Sequence, residues 1–100
     1  MRIYAYLRVE PGFKEDLNEY YSFFNKYGYH IQKNRLIWEE VAVDTPIFYR
    51  DKIVNLVNYS LEEDNILIIK GLDSLGANFV EISEFINIIE SRKIILICLD

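Results

Sequence analysis

One hundred residues, half of them apolar and about a quarter charged, describe a single ordinary globular domain with enough chain for one core. The formal net charge of −5 opposes non-specific DNA binding, which depends on Lys and Arg neutralising phosphates. The only cysteine, Cys98, excludes a disulfide framework and a Cys-based metal site; Arg2 and Arg8 break up any secretory signal; and no apolar run nears the ~20 residues that span a bilayer. A reducing, cytoplasmic setting follows as the expectation.

Residues 2–9 read as a strand, apolar or aromatic on both faces, as suits a central strand of a covered parallel sheet. Alternation puts Tyr4, Tyr6, Arg8 and Glu10 on one face and Ile3, Ala5, Leu7 and Val9 on the other. Pro11-Gly12 ends the strand. Phe13, Leu17, Tyr20, Tyr21 and Phe24 recur at helical spacing, so residues 13–27 are expected to be a helix, capped at its C-terminus by Gly28. A helix advances about 100° per residue, so the aromatics Tyr20, Tyr21, Phe23 and Phe24 span too wide an arc for one core-facing stripe. They are the candidate oligomer interface, unless both sides of the helix are covered within the monomer.

Residues 30–41 are extended, with a break near Lys33-Asn34. Thr45-Pro46 reads as a capping hydroxyl followed by a first-turn proline, opening a helix to about Ser60 that buries Ile53, Leu56, Val57 and Leu61. Residues 61–65 form a turn and 66–70 a short apolar strand. Asn78, with Glu81 three residues on, caps a third helix whose stripe is Phe79, Ile82, Phe85, Ile86 and Ile89. Residues 94–99 are the last strand. The order β-α-β-α-β-α-β predicts a three-layer α/β/α domain on a mostly parallel four-stranded sheet.

Two segments carry the clearest signal. Tyr6-x-Arg8-Val9-Glu10 and Lys70-Gly-Leu-Asp-Ser-Leu-Gly76 resemble the signature segments of the catalytic domain of serine recombinases, the resolvase/invertase family. The family's first strand reads Tyr-x-Arg-Val-Ser, and that serine attacks the DNA phosphodiester; here the position is Glu10. The second signature reads Lys-Leu-Asp-Arg-Leu-Gly-Arg, and its two arginines grip the scissile phosphate; here they are Ser74 and Ala77. The resemblance implies a resolvase catalytic-domain-like fold that keeps the scaffold and has lost the chemistry. The family's Ser-Thr and Gln segment after the first strand is missing, and these hundred residues are expected to carry neither its long dimerisation helix nor its helix-turn-helix DNA-binding domain.

The residues point the same way. Functional groups of open α/β sheets gather at the carboxyl ends of the strands, where Glu10 and Asp73 fall. Arg8 could contact an anion, but Glu10 on the same face makes a structural ion pair with Glu10 or Asp73 the expected arrangement. Glu10 cannot form a phosphoserine-type linkage, and a second negative charge beside a phosphate raises the barrier to phosphoryl transfer. Ser74 as a substitute nucleophile has no base or cation beside it in sequence. Glu39, Glu40 and Asp44 could join Asp73 around Mg²⁺, against the simpler expectation of a solvated loop. His30 is the sole histidine, which weakens any zinc or Ser-His reading. A receiver-type acidic pair and a Gly-rich phosphate loop are both missing. Arg50 lies near where the family often carries another active-site arginine; by itself it reads as helix surface.

The sequence therefore leads to an expectation of a catalytically inactive, recombinase-like domain without metal or cofactor. It would act through self-association or a protein partner such as a recombinase. Its direct DNA binding would be weak or nil, and it would regulate recombination, replication or transcription. The alternative is an enzyme with altered chemistry at Arg8, Glu10 and Asp73.

Overall fold

A computed structural model of the chain describes residues 2–12 and 16–100. Four strands, β1 (Ile3–Val9), β2 (Leu36–Glu40), β3 (Ile66–Ile69) and β4 (Ile95–Cys98), form one sheet in the order β2-β1-β3-β4. Every pairing is parallel, with Ala5 opposite Leu36 and Ile68, and Ile68 opposite Ile97. The central strands β1 and β3 are apolar on both sides because both faces are covered. Helix α1 (Leu17–Lys26) lies over Ala5, Leu7 and Ile68, burying Phe24. On the other face α2 (Asp51–Asn55) and α3 (Phe79–Ser91) lie over Tyr6, Leu67 and Ile69. The expected three-layer α/β/α architecture is therefore present, with an all-parallel sheet.

Helix α1 starts four residues later than its periodicity suggested. Asp16 caps it by accepting the Asn18 N–H (2.9 Å); Phe13 lies outside the described residues. It ends in a Schellman motif: Gly28 N–H donates to Asn25 O (2.9 Å) and Tyr29 N–H to Phe24 O (3.0 Å), with Gly28 at φ +87°, where a side chain would be strained. The break foreseen at Lys33-Asn34 is a 3-10 turn over Lys33–Arg35.

The segment after Thr45-Pro46 departs from a regular helix. A 3-10 turn (Ile47–Tyr49) is followed by a break from helical backbone at Arg50 (φ −94°, ψ 79°), then α2, then a π turn (Leu56–Ser60). No side chain caps its start, so Thr45 does not play the expected part. Its first amide donates instead to Glu81 Oε1 from across the chain (Ile47 N, 3.1 Å). The apolar face survives the irregularity: Ile53, Leu56, Val57 and Leu61 are all buried. At the start of α3, Asn78 caps the Glu81 N–H as foreseen (3.0 Å). The stripe begins only at Ile82, however, and Phe79 is 80% exposed, because the first turn of α3 overhangs the end of the sheet.

Candidate functional site at the carboxyl edge of the sheet

The chain reverses direction across the sheet between β1 and β3, the position at which open α/β folds form a crevice. A cleft of about 250 Å³ opens there, lined by Arg8 and Glu10 from the end of β1, Lys70, Asp73 and Ser74 from the end of β3, and Asp100. Arg8 sits where alternation along β1 directs it. Its Nη1 donates to Glu10 Oε1 (2.6 Å) and to Val41 O (3.0 Å), and its Nε to Asp73 Oδ2 (2.9 Å). Both carboxylates pair with it at once, which extends the expectation of one. Burial pushes the guanidinium pKa down, but the hydrogen bonds and charges of Glu10 and Asp73 outweigh it and the net change is upward. The Arg8 side chain is only 13% exposed. It works as a clamp joining β1, the turn after β3 and the segment after β2.

Lys70, the first residue of the second signature segment, closes the cleft on the α1 side. Its ammonium lies 5.9 Å from the centre of the Tyr20 ring and 5.4 Å from that of Phe23. The rule that brought out Glu10 and Asp73, that strand ends carry the site, would also have found it. Two cations thus face three carboxylates, Glu10, Asp73 and Asp100, and the cleft disfavours a phosphate.

The rest of the second signature is explained by packing. Leu75 is buried in the core and Ser74 is buried in a 3-10 turn, its amide donating to Gly71 O (3.1 Å). Ser74 thus borders the cleft as a mostly buried residue. Gly76 allows a close approach: a Cβ there would stand 2.8 Å from Glu81 Cβ and 3.1 Å from the Ile82 nitrogen, which is backbone and cannot yield. Ala77 donates its amide to Glu81 Oε1 (2.9 Å), so Glu81 ties the 45–50 loop to the start of α3.

Two expectations of surface exposure are overturned. Arg50 is fully buried. Its Nε donates to Thr45 O (3.0 Å), its Nη2 to Val43 O (3.1 Å) and its Nη1 to Asp73 O. Burial holds its pKa below the usual value, yet a guanidinium stays protonated, and three carbonyls share its charge. Glu39 is buried as well, accepting the Tyr6 hydroxyl at Oε1 (2.8 Å) and the Lys52 amide at Oε2 (2.9 Å). Burial, then this bond to a carboxylate, pushes the Tyr6 phenol far up. Glu39 therefore belongs neither to a solvated loop nor to a Mg²⁺ set with Glu40, Asp44 and Asp73. Among the described residues no three His, Cys, Asp or Glu side chains gather as metal ligands.

Of the aromatics on α1, Phe24 is a core residue and is withdrawn from the candidate interface. Tyr20, Tyr21 and Phe23 are half-buried against the same core, and Phe23 stacks edge-on with Phe24 (5.6 Å) and Tyr27 (5.1 Å). The most exposed large apolar side chains lie elsewhere: Phe48 and Tyr49 on the 3-10 turn, Tyr59 beyond α2, and Phe79 and Val80 at the start of α3. No helix among the described residues is long and apolar enough to cross a membrane. Compared with known proteins, the chain matches no protein-family model and no curated protein.

Proposed function

We propose that the chain is a non-catalytic, serine-recombinase-like domain that works in the cytoplasm by associating with protein, in a regulatory capacity. The observation that carries this reading is the state of Arg8. It occupies the signature position from which an arginine would meet the scissile phosphate, and its Nη1 and Nε are engaged by Glu10 and Asp73. Arg50 is spent on three backbone carbonyls, and Ser74 is buried. A phosphoryl-transfer site needs free cations and an accessible nucleophile at this point. Association is supported by the exposed Phe48, Tyr49, Phe79 and Val80, whose two segments Glu81 ties together at the same end of the sheet. Large apolar side chains grouped at a surface mark sites of protein contact.

The test is incubation with supercoiled DNA carrying recombination sites, followed by a search for nicked product and covalent protein–DNA adducts. Neither is expected. An adduct mapped to Ser74 would overturn the reading.

A further inference from the structure

The two edges of the sheet are finished differently. On β2, Lys52 Nζ donates to Trp38 O (3.0 Å) and lies 4.9 Å from the centre of the Trp38 ring, and the strand ends in Glu39 and Glu40. Lysines and inward-turned charges of this kind block pairing at an edge. On β4 the sequence is Ile-Leu-Ile-Cys, without a charge, and no strand among the described residues pairs with its outer side. Ile95 and Leu99 turn their amides toward β3, donating to Asn65 O (2.9 Å) and Ile69 O (3.0 Å). Alternation then turns the backbone N–H and C=O groups of Leu96 and Cys98 outward. The exposed Ile95, 44% accessible, lies on this bare edge.

We propose that β4 pairs antiparallel with β4 of a second copy of the chain about a two-fold axis, joining two four-stranded sheets into one of eight. The charges flanking the strand select this occupant and this direction. Arg92 and Lys93 precede β4 and Asp100 follows it; Arg92 donates to Asn58 O (3.3 Å), and Lys93, 73% exposed, shares its charge with Glu63 (3.3 Å) on the surface. An antiparallel partner of the same sequence sets the acidic end of each strand beside the basic end of the other, whereas a parallel copy would set like against like. Pairing Leu96 with Cys98 of the second copy uses the outward-turned groups of both, places Ile97 on the axis, and puts Asp100 opposite Ile94 and next to Lys93. The contact is isologous, so it closes as a dimer and does not grow. Its few residues make it a small interface, and micromolar association is expected.

This inference rests on the reading of the chain as an association domain and adds a self-contact at β4, separate from the exposed Phe48, Tyr49, Phe79 and Val80. Sedimentation velocity over about 5–500 µM tests it. The wild type should pass from monomer to dimer. Ile95→Lys, which charges the edge, and Cys98→Pro, which removes an outward amide that β3 does not use, should each weaken association at least tenfold while the circular dichroism stays native. Tyr49→Ser with Phe79→Ser should leave the dimer intact. If Cys98→Pro fails to fold, Ile95→Lys alone decides. In a Cys98→Ser background, Ile97→Cys should form an intermolecular disulfide on mild oxidation. A wild type that stays monomeric, a folded Ile95→Lys variant that associates equally well, or a dimer lost in the Tyr49/Phe79 variant would each overturn the proposal. Each would leave the non-catalytic reading standing or falling on the DNA assay.

Discussion

Under α1 the sheet is closed by Ala5, Leu7, Phe24, Ile31, Leu36 and Ile68, all buried and all apolar. Under α2 and α3 the same sheet encloses Arg50, Glu39 and the Tyr6 hydroxyl among its apolar residues, each with its hydrogen bonds made. The first face is held by shape and burial, which tolerate many side chains of about the right size. The second is held by donors and acceptors that must meet, so a residue of equal volume and wrong chemistry leaves buried groups unpaired. The polar face also carries the loops that bound the site: Arg50 gathers the carbonyls of Val43, Thr45 and Asp73, and Asp73 in turn holds Arg8. These side chains hold the loops in place around the cleft.

Substitutions of similar size are the means of breaking this contrast. Arg50→Met is expected to have the largest effect, at least about 3 kcal/mol in urea denaturation, because three buried carbonyls lose their donors together. Arg50→Lys should recover less than half of it, since one ammonium cannot reproduce the fork. An Arg50→Met variant as stable as wild type would mean that solvent reaches those carbonyls and that the face is not sealed.

Tyr6→Phe comes next, at about 1–3 kcal/mol at neutral pH, because Glu39 Oε1 is left buried without its donor. Its pH dependence has a definite sign. A phenol whose folded-state pKa is raised contributes stability that is present below the ordinary pKa near 10 and lost above it, since the unfolded chain releases the proton and the folded chain retains it. Wild type should therefore lose stability more steeply than Tyr6→Phe between about pH 9 and 11, and parallel curves in denaturant melts would remove Tyr6 as the cause.

The smallest effect belongs to the dry face. Ile68→Val should cost about 0.5–1.5 kcal/mol, with no pH dependence of its own. If it equalled Arg50→Met, the distinction between the faces would fail.

Signals carried by neighbours along the chain were easy to read, and those carried by partners distant in sequence were hard. Apolar runs at 2–9, 66–70 and 94–99 and the Asn78–Glu81 cap carry their meaning locally, and each element stands where that local signal put it. Arg8 was legible too, because its partner Glu10 lies two residues away on the same strand face. Arg50 was not. Its partners are backbone carbonyls, which every residue has, so nothing in Phe48-Tyr49-Arg50 distinguishes a buried fork from a solvated helix surface. Glu39 was misread for a related reason: beside Glu40 it looks like part of a charged loop, and only the arrival of Tyr6 from β1 and of the Lys52 amide makes it a core residue. Phe79 erred in the other direction, because helical periodicity continues past the point where the sheet ends.

The all-parallel order has a consequence for how the chain reaches this state. With no hairpin in the sheet, every strand pairing spans a long loop: Ala5 meets Leu36, Ile66 meets Ile95, and Ile3 meets Ile66. Such non-local closure comes late and slows folding. Strand β1 is central, so during synthesis its apolar residues wait for their second neighbour, β3, which lies some sixty residues downstream. At ribosomal rates of roughly 5–20 residues per second, that wait is on the order of 3–12 s. For that interval one side of the apolar strand Ile3–Val9 lacks its partner in the sheet.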